Sequence, residues 1–446
     1  MDRGWMGPSD QSEAEGLACI PMGIAEDGLS AAVRTWIAES WDTDITVKQW
    51  WGRLADSGYG FPHWPTEWFG KSMSSLETAV VRREMASAHV LGPPIGVGTN
   101  MAAPVLFAHG SEDQRSRWLP ALARGEERWC QFFSEPDAGS DLAGVRTQAV
   151  SDGDGWLVNG QKVWNSGTLL ADRGILLART EPDLPKHRGL SFFVIDVDQT
   201  GIEVRPIRQM NGRTEFNETF FNQARIGLGG LVGSAGDGWR AAMTTLSNER
   251  HDFAGGWEYP LVIVPPGAKG GYLERQVGEV MEEARHDELD EANTPPIHTA
   301  DRLMDLAREW ERHGDPVIRQ RLAHVYAMAG ALRWTAERAA AAQAAGRQPG
   351  PESSIGYVGG VRLLRLIRDL AAEIAGPAGL LTGPDAPSGG EISMTVLTVP
   401  CHGIQGGSEQ IQMNILGERV LGLPREPPVD RDISFRESVS SRPRKG

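Results

Sequence analysis

The sequence predicts an α+β protein with helices at both ends and strands between them. Three observations carry this. The first ~125 residues show apolar residues at helical spacing between Gly/Pro punctuation. Residues from about Trp129 to Val232 show short β-rich runs separated by turn signals. From Gly238 onward the chain returns to long, Ala-rich amphipathic stretches suited to a bundle.

In the N-terminal part, Leu29 to Trp41, Ser74 to His89 and Ser111 to Leu122 read as helices. Ser111 is an N-cap followed by Glu112 and Asp113, whose charges suit the positive end of a helix dipole. Gly60, Pro62 and Pro65 mark loops. In the central block, Trp156 to Trp164 reads as two short strands around an Asn159-Gly160 turn. Gly189 to Val197, Ile202 to Ile207 and Glu218 to Ile226 add further strands, and several in a row suggest a barrel or sandwich. The last block gives helices over Gly238 to Ala254, Pro316 to Ala345, Val361 to Ala375 and Ser408 to Leu421. Trp257 to Leu303 does not fit this scheme and reads as a surface excursion: a solvated loop with one short helix, or a segment that binds a partner. The expected domains are an N-terminal helical domain (1–127), a central β domain (128–235) and a C-terminal helical bundle (236–446) with an insertion near 257–303.

The 446 residues allow a large core and two or three domains. A net charge of −15 argues against a general nucleic-acid binder, which would show a basic face. The longest apolar runs are too short to span a bilayer, and Met1 to Cys19 lacks the features of a signal peptide, so a cytoplasmic protein is expected. Three scattered cysteines form neither a disulfide framework nor a CxxC site. The ten histidines form no HExxH, so no metal is expected. Neither GxSxG nor a strand-linked GxGxxG appears.

The densest chemical signal is Trp129-Cys-Gln-Phe-Phe-Ser-Glu-Pro-Asp-Ala-Gly-Ser-Asp-Leu-Ala-Gly144, a strand end followed by a turn rich in hydroxyls and free N–H groups. Asn159-Gly-Gln-Lys-Val-Trp-Asn-Ser-Gly167 follows. Gly406-Gly-Ser-Glu-Gln-Ile-Gln-Met-Asn-Ile-Leu-Gly-Glu-Arg-Val-Leu-Gly-Leu-Pro424 closes the chain's motif set. Together these blocks resemble the signatures of acyl-CoA dehydrogenases, over about Val47 to Pro428 apart from the excursion.

The resemblance implies a helical domain, a β-barrel domain and a four-helix bundle. It implies FAD as cofactor and an acyl-CoA substrate that loses hydrogen from its α and β carbons. Gln131, Phe133 and Ser134 would lie along the flavin ring, with Ser134 on its pyrimidine edge. Ser140 would reach the pyrophosphate or the CoA side, and Ser408 would contact the cofactor. Trp164 would pack on the dimethylbenzene end, and Ser166 would donate near N5. Many members carry the catalytic Glu where this chain has Gly406. Others place it on the first bundle helix, where Glu249 matches, with Arg250 beside it shaping the substrate region.

A second departure lies in Glu373-Ile-Ala-Gly-Pro-Ala-Gly379, where Glu373 and Pro377 replace groups that would favour phosphate contact. This resembles the heteromeric acyl-CoA dehydrogenases of actinobacterial sterol side-chain breakdown. It implies a hetero- or homo-oligomer, bulky acyl groups and electron-transfer flavoprotein as acceptor. Two alternatives stay open: an oxidase or flavin monooxygenase on the same fold, and a non-catalytic subunit that completes a partner's FAD site.

Overall fold

The computed structural model describes residues 24–253, 262–287, 296–344, 350–351, 353–383, 386–425, 427 and 432–440. Five helices open the chain: α1 (Ile24–Ser40), α2 (Val47–Ser57), α3 (Ser75–Ser87), α4 (Ala103–His109) and α5 (Glu112–Ala123). Three begin with reciprocal capping boxes, Thr46 with Gln49, Ser74 with Glu77 and Ser111 with Gln114, each satisfying two backbone donors locally. Trp50 and Trp51 on α2 are fully buried. Their indole N–H groups donate to the Leu91 and Gly92 carbonyls at 2.8 and 2.9 Å.

The central domain is one eight-stranded sheet: β1 (Trp129–Phe132), β2 (Gln148–Asp152), β3 (Gly155–Ser166), β4 (Arg173–Arg179), β5 (Leu190–Asp196), β6 (Ile202–Ile207), β7 (Phe216–Gly227) and β8 (Leu231–Val232). The order is β6-β7-β3-β2-β4-β5-β8, with β1 running parallel beside β4. The sheet curls around its own core, where Phe132, Val158, Leu176, Phe193, Phe221 and Ile226 meet from five strands. Alternate residues of β4 and β5 (Ile175, Leu177, Phe192, Val194) face outward onto a second core shared with α4, α5 and the next helix. Burial on both faces explains the unbroken apolar runs of these two strands.

One turn expected from the sequence is not there. Asn159-Gly160 does not reverse the chain; β3 continues through it, and the register against β7 shifts there by a bulge. The cause is tertiary. A Cβ on Gly160 would lie 2.4 Å from Thr147 Oγ1 and 2.7 Å from Thr147 Cα, so the glycine serves close approach. Asn159 Oδ1 instead accepts the Gln223 backbone N–H at 2.9 Å.

The remaining helices are α6 (Gly238–Phe253), α7 (Val277–Asp287), α8 (Ala300–Glu309), α9 (Pro316–Ala344), α10 (Ser353–Ala375), α11 (Glu391–His402), α12 (Glu409–Ile415) and α13 (Phe435–Ser440). Helices α8 to α11 share a core built on Leu303, Leu306, Ile318, Leu322, Ile367, Leu370, Ile374 and Ile392. The last motif helix is shorter than expected, because α12 ends at Ile415 and continues as a wider π turn over Leu416–Val420.

The excursion after α6 also differs from the solvated loop expected. It holds α7 and the start of α8, and its described part packs on the N-terminal helices. Val264, Leu273, Val277, Val280 and Met281 are buried in the same core as Val33, Trp50, Leu54 and Met85. Backbone bonds fix it there: Gly92 N–H to Val262 O at 3.0 Å, Lys48 N–H to Leu273 O at 3.0 Å and Val277 N–H to Ile45 O at 2.9 Å.

Candidate active site

The three motif blocks come together where the sheet meets α6 and the loop between α11 and α12. At the end of β1 the chain turns, with Glu135 and Ala138 bonded to each other, and then enters a short 3-10 turn over Leu142–Gly144. The end of β3 lies beside it. Val163 N–H donates to Ser134 O at 2.9 Å, and Asn165 Nδ2 donates to Gln131 O at 2.8 Å. Gln131 on β1 and Ser134 two residues past its end thus flank Trp164 and Ser166 on β3. Gln131 and Ser134 are half-buried, whereas Trp164 and Ser166 are exposed. Phe133 does not join this open group. Its ring is buried edge-on to Phe192, 6.0 Å between centroids, in the core shared with the helices.

Trp164 is unusual twice over. Its side chain is 58% exposed, and its backbone is left-handed at φ 63°, which a bulky residue adopts only at a cost of about 1–3 kcal/mol. A second bulge in β3, between Lys162 and Asn165, imposes this conformation. The bulge re-aims the indole out of the strand's alternation. An exposed aromatic held by strain, beside two serine hydroxyls and a Gln, suits a flat heteroaromatic ligand with polar edges.

Beneath this platform lies an ion pair absent from the sequence-level expectations. Lys162 is fully buried; its Nζ donates to Phe133 O at 2.8 Å and Glu135 Oε1 at 2.9 Å. The Glu135 carboxylate also accepts the Arg146 and Thr147 backbone N–H groups at 2.7 and 2.9 Å. Burial pushes the Glu135 carboxyl up, but Lys162 and these hydrogen bonds outweigh it and hold it below the ordinary range. The pair pins the motif turn from inside. Its one sequence cue was a lysine inside a strand, next to Val163 and Trp164. Cys130 is buried and its thiol is pushed up to about 12 by that burial, as expected of an inert cysteine.

On the far side, Ser140 Oγ donates to Ser408 Oγ at 3.3 Å, joining two motif residues 268 positions apart. Ser408 caps α12. The loop before it carries left-handed Gly406 and Gly407 at φ 63° and 94°, a path that favours glycine. Helix α10 braces this loop. The Tyr357 hydroxyl lies 2.8 Å from His402 O and 2.5 Å from Gln405 O, both acceptors for its single proton. Ser354, one turn earlier, donates to buried Gln412 at 2.7 Å, and Gln412 Nε2 donates to Gly406 O at 3.3 Å. Burial pushes the Tyr357 phenol up to about 12, aided by the charges of Glu409, Cys401 and Glu249. Half-buried Glu249, in the last turns of α6, is thus one of the charges felt by Tyr357 on α10. Arg250 follows it on α6, and its side chain lies outside the described residues.

No group of three or more His, Cys, Asp or Glu able to hold a metal occurs among the described residues, and no described helix is long and apolar enough to cross a membrane. A hollow of about 640 Å³ lined by Asp56, Ser57, Thr66, Glu67 and Lys71 shares no residue with the motif group.

The chain is similar to known proteins in sequence and in fold. The acyl-CoA dehydrogenase N-terminal, middle and C-terminal domain families match residues 25–126, 130–224 and 298–421 in order. The acyl-CoA dehydrogenase FadE34 of Mycobacterium tuberculosis is 38% identical over 372 residues. That match covers 83% of this chain but only 46% of FadE34, so the chain spans about half the length of that relative. The acyl-CoA dehydrogenase IpdE1 of the same organism is 36% identical over 385 residues, covering 85% of this chain and 88% of IpdE1. Among solved structures, the ChsE4-ChsE5 complex from Mycobacterium tuberculosis includes a chain that superposes with a TM-score of 0.64 at 24% identity, over 92% of this chain and 100% of that one, a likeness of fold. With all three domains matched in order and IpdE1 matched over most of its length, the chain belongs to the acyl-CoA dehydrogenase family of flavoprotein oxidoreductases.

Proposed function

We propose that the chain carries out FAD-dependent α,β-desaturation of an acyl-CoA thioester, with Glu249 as the base. The observation that supports this most is the relation between α6 and the Gly406 loop. Gly406 has no side chain to take a proton, and the nearest replacement in the family pattern is Glu249, whose charge reaches Tyr357 on that loop's brace. Trp164 offers a face for the flavin ring. Gln131, Ser134 and Ser166 offer polar groups along its edges, and Phe133 supports the strand from below. Ser140 and Ser408, in contact, form the polar end for phosphate or the CoA side, and Arg250 sits next to the base.

Glu249 takes the α-proton, and hydrogen bonds to the thioester oxygen steady the charge that develops. FAD, when bound, supplies the acceptor for the β-hydride. Covering Trp164 with ligand excludes water from that face. Glu249→Gln is expected to keep its flavin and to lose nearly all substrate-dependent bleaching of the flavin absorbance; undiminished bleaching would remove Glu249 from the mechanism.

Bulky, steroid-like acyl groups and a hetero-oligomer follow from the subgroup resemblance, with electron-transfer flavoprotein as the acceptor. A second reading, a subunit that completes a partner's FAD site, is favoured by one feature. Glu373 is held in an ion pair with Arg321 beside the Gly376–Leu380 turn that contains Pro377, a poor setting for a phosphate. Flavin per chain in the protein expressed alone separates the two: close to one for a complete site, close to none for a shared one.

A further inference from the structure

We propose that α13 is a clasp that holds the Ser140 turn in its ligand-binding shape, acting through Phe435 and Arg179. This rests on the reading of that turn as part of the cofactor and CoA site. Helix α13 lies beyond residue 421, where the family match ends.

Arg179 closes β4 and is almost wholly buried. Its guanidinium donates to three carbonyls: Ala143 O at 2.6 Å, Val145 O at 3.2 Å and Lys186 O at 2.9 Å. Ala143 lies in the 3-10 turn that follows Ser140, and Val145 directly ends it. The third belongs to the β4–β5 hairpin, whose Lys186 reaches back to Asp141 at 3.1 Å. Arg179 therefore ties the motif turn to the hairpin. Burial pushes its pKa down to about 10, with Glu135 and Asp141 opposing, so the group stays charged at neutral pH.

Helix α13 covers it on one side. The Phe435 ring covers the guanidinium, 3.6 Å from Cζ to the ring centroid, a cation–π contact in a water-poor setting. The helix is docked on the same hairpin by three further contacts. Phe435 N–H donates to Leu184 O at 2.9 Å, Arg436 N–H donates to Pro182 O at 3.0 Å, and the Arg436 guanidinium pairs with Asp183 through 2.7 and 3.3 Å bonds. The arm thus returns from the bundle to cap the residue that shapes the motif turn. Phe435 and Arg179 are positioning residues; neither needs to touch the ligand.

A desolvated cation–π contact is stronger than an exposed one, and water that replaces the ring restores part of what is lost. Phe435→Ala is therefore expected to weaken binding of FAD, of free coenzyme A, or of both, by about tenfold in the holoenzyme. FAD release is followed by its fluorescence and coenzyme A binding by calorimetry. Asp183→Arg and Arg436→Asp should each do the same more mildly, and the two together should restore binding by reversing the pair. Unchanged affinities in Phe435→Ala, or a loss in the single charge variants that the double variant does not recover, would overturn the clasp. Both readouts are binding constants. Failure of Glu249 as base, which shows only in turnover, leaves them untouched.

Discussion

Lys162→Met tests the interior of the site. The variant keeps the volume of the side chain and removes its charge. Lys162 has no exposed side-chain surface and Glu135 has 8%, so water cannot replace what is lost. The substitution leaves Phe133 O without its donor and Glu135 without its counter-ion. Breaking a buried pair by deleting one partner costs about 3–5 kcal/mol. The two backbone N–H groups that Glu135 keeps place the expected loss near the lower end, about 3 kcal/mol. The exposed pair of Arg225 with Asp152 and Asp154 would cost ~1 kcal/mol or less on the same change.

The loss should depend on pH. In the native protein the Glu135 carboxyl is held low, so its stabilisation is present above the unfolded carboxylate value and is lost as pH falls through the folded one. In Lys162→Met burial dominates and raises that carboxyl. The deficit should be full near pH 7 and should shrink as the pH falls and Glu135 takes a proton. Urea unfolding of both proteins at several pH values, followed by flavin release and circular dichroism, gives the comparison. A deficit below ~1 kcal/mol, or one that does not change with pH, would refute the ionised pair.

Trp164→Ala should release flavin more readily by roughly 1–3 kcal/mol of lost stacking, the range found for bases on aromatic side chains, while Trp164→Phe should keep most of it; equal retention by all three proteins in a fluorescence titration would remove Trp164 from the cofactor's face. Gly160→Ala should cost about 1–3 kcal/mol by overpacking, because the new Cβ meets the Thr147 backbone and has no room to turn; a denaturation midpoint equal to wild type would show that the bulge can move.

Much of the fold was legible because it is written locally. The Ser74 and Ser111 caps need only residues three positions away. Of the two strands covered on both faces, β5 was legible from its apolar run and β4 was not. The three motif blocks were legible as a resemblance, and the Ser140–Ser408 contact brings two of them together. What was not legible depended on distant partners. Asn159-Gly160 has the composition of a hairpin turn, and only Thr147 decides against it. The left-handed Trp164 follows from pairing with β7. Tyr357 and Ser354 lie ahead of Val361, where the sequence pattern opens the helix, so neither the longer α10 nor the carbonyls and glutamine they serve was legible. Phe435 is a lone aromatic in a polar tail, and nothing nearby in sequence points to Arg179.

The excursion between α6 and α8 has a consequence for how the chain is made. One hydrophobic core contains both Val33 and Met281, so the first helices cannot finish packing until the ribosome has added ~190 residues beyond Leu91. At about 5–20 residues per second that wait is roughly 10–40 seconds. Through this interval Trp50, Trp51 and Leu54 lack the apolar surface that finally covers them, while the intervening β-sheet forms. Vectorial synthesis therefore hands this protein its N-terminal core late.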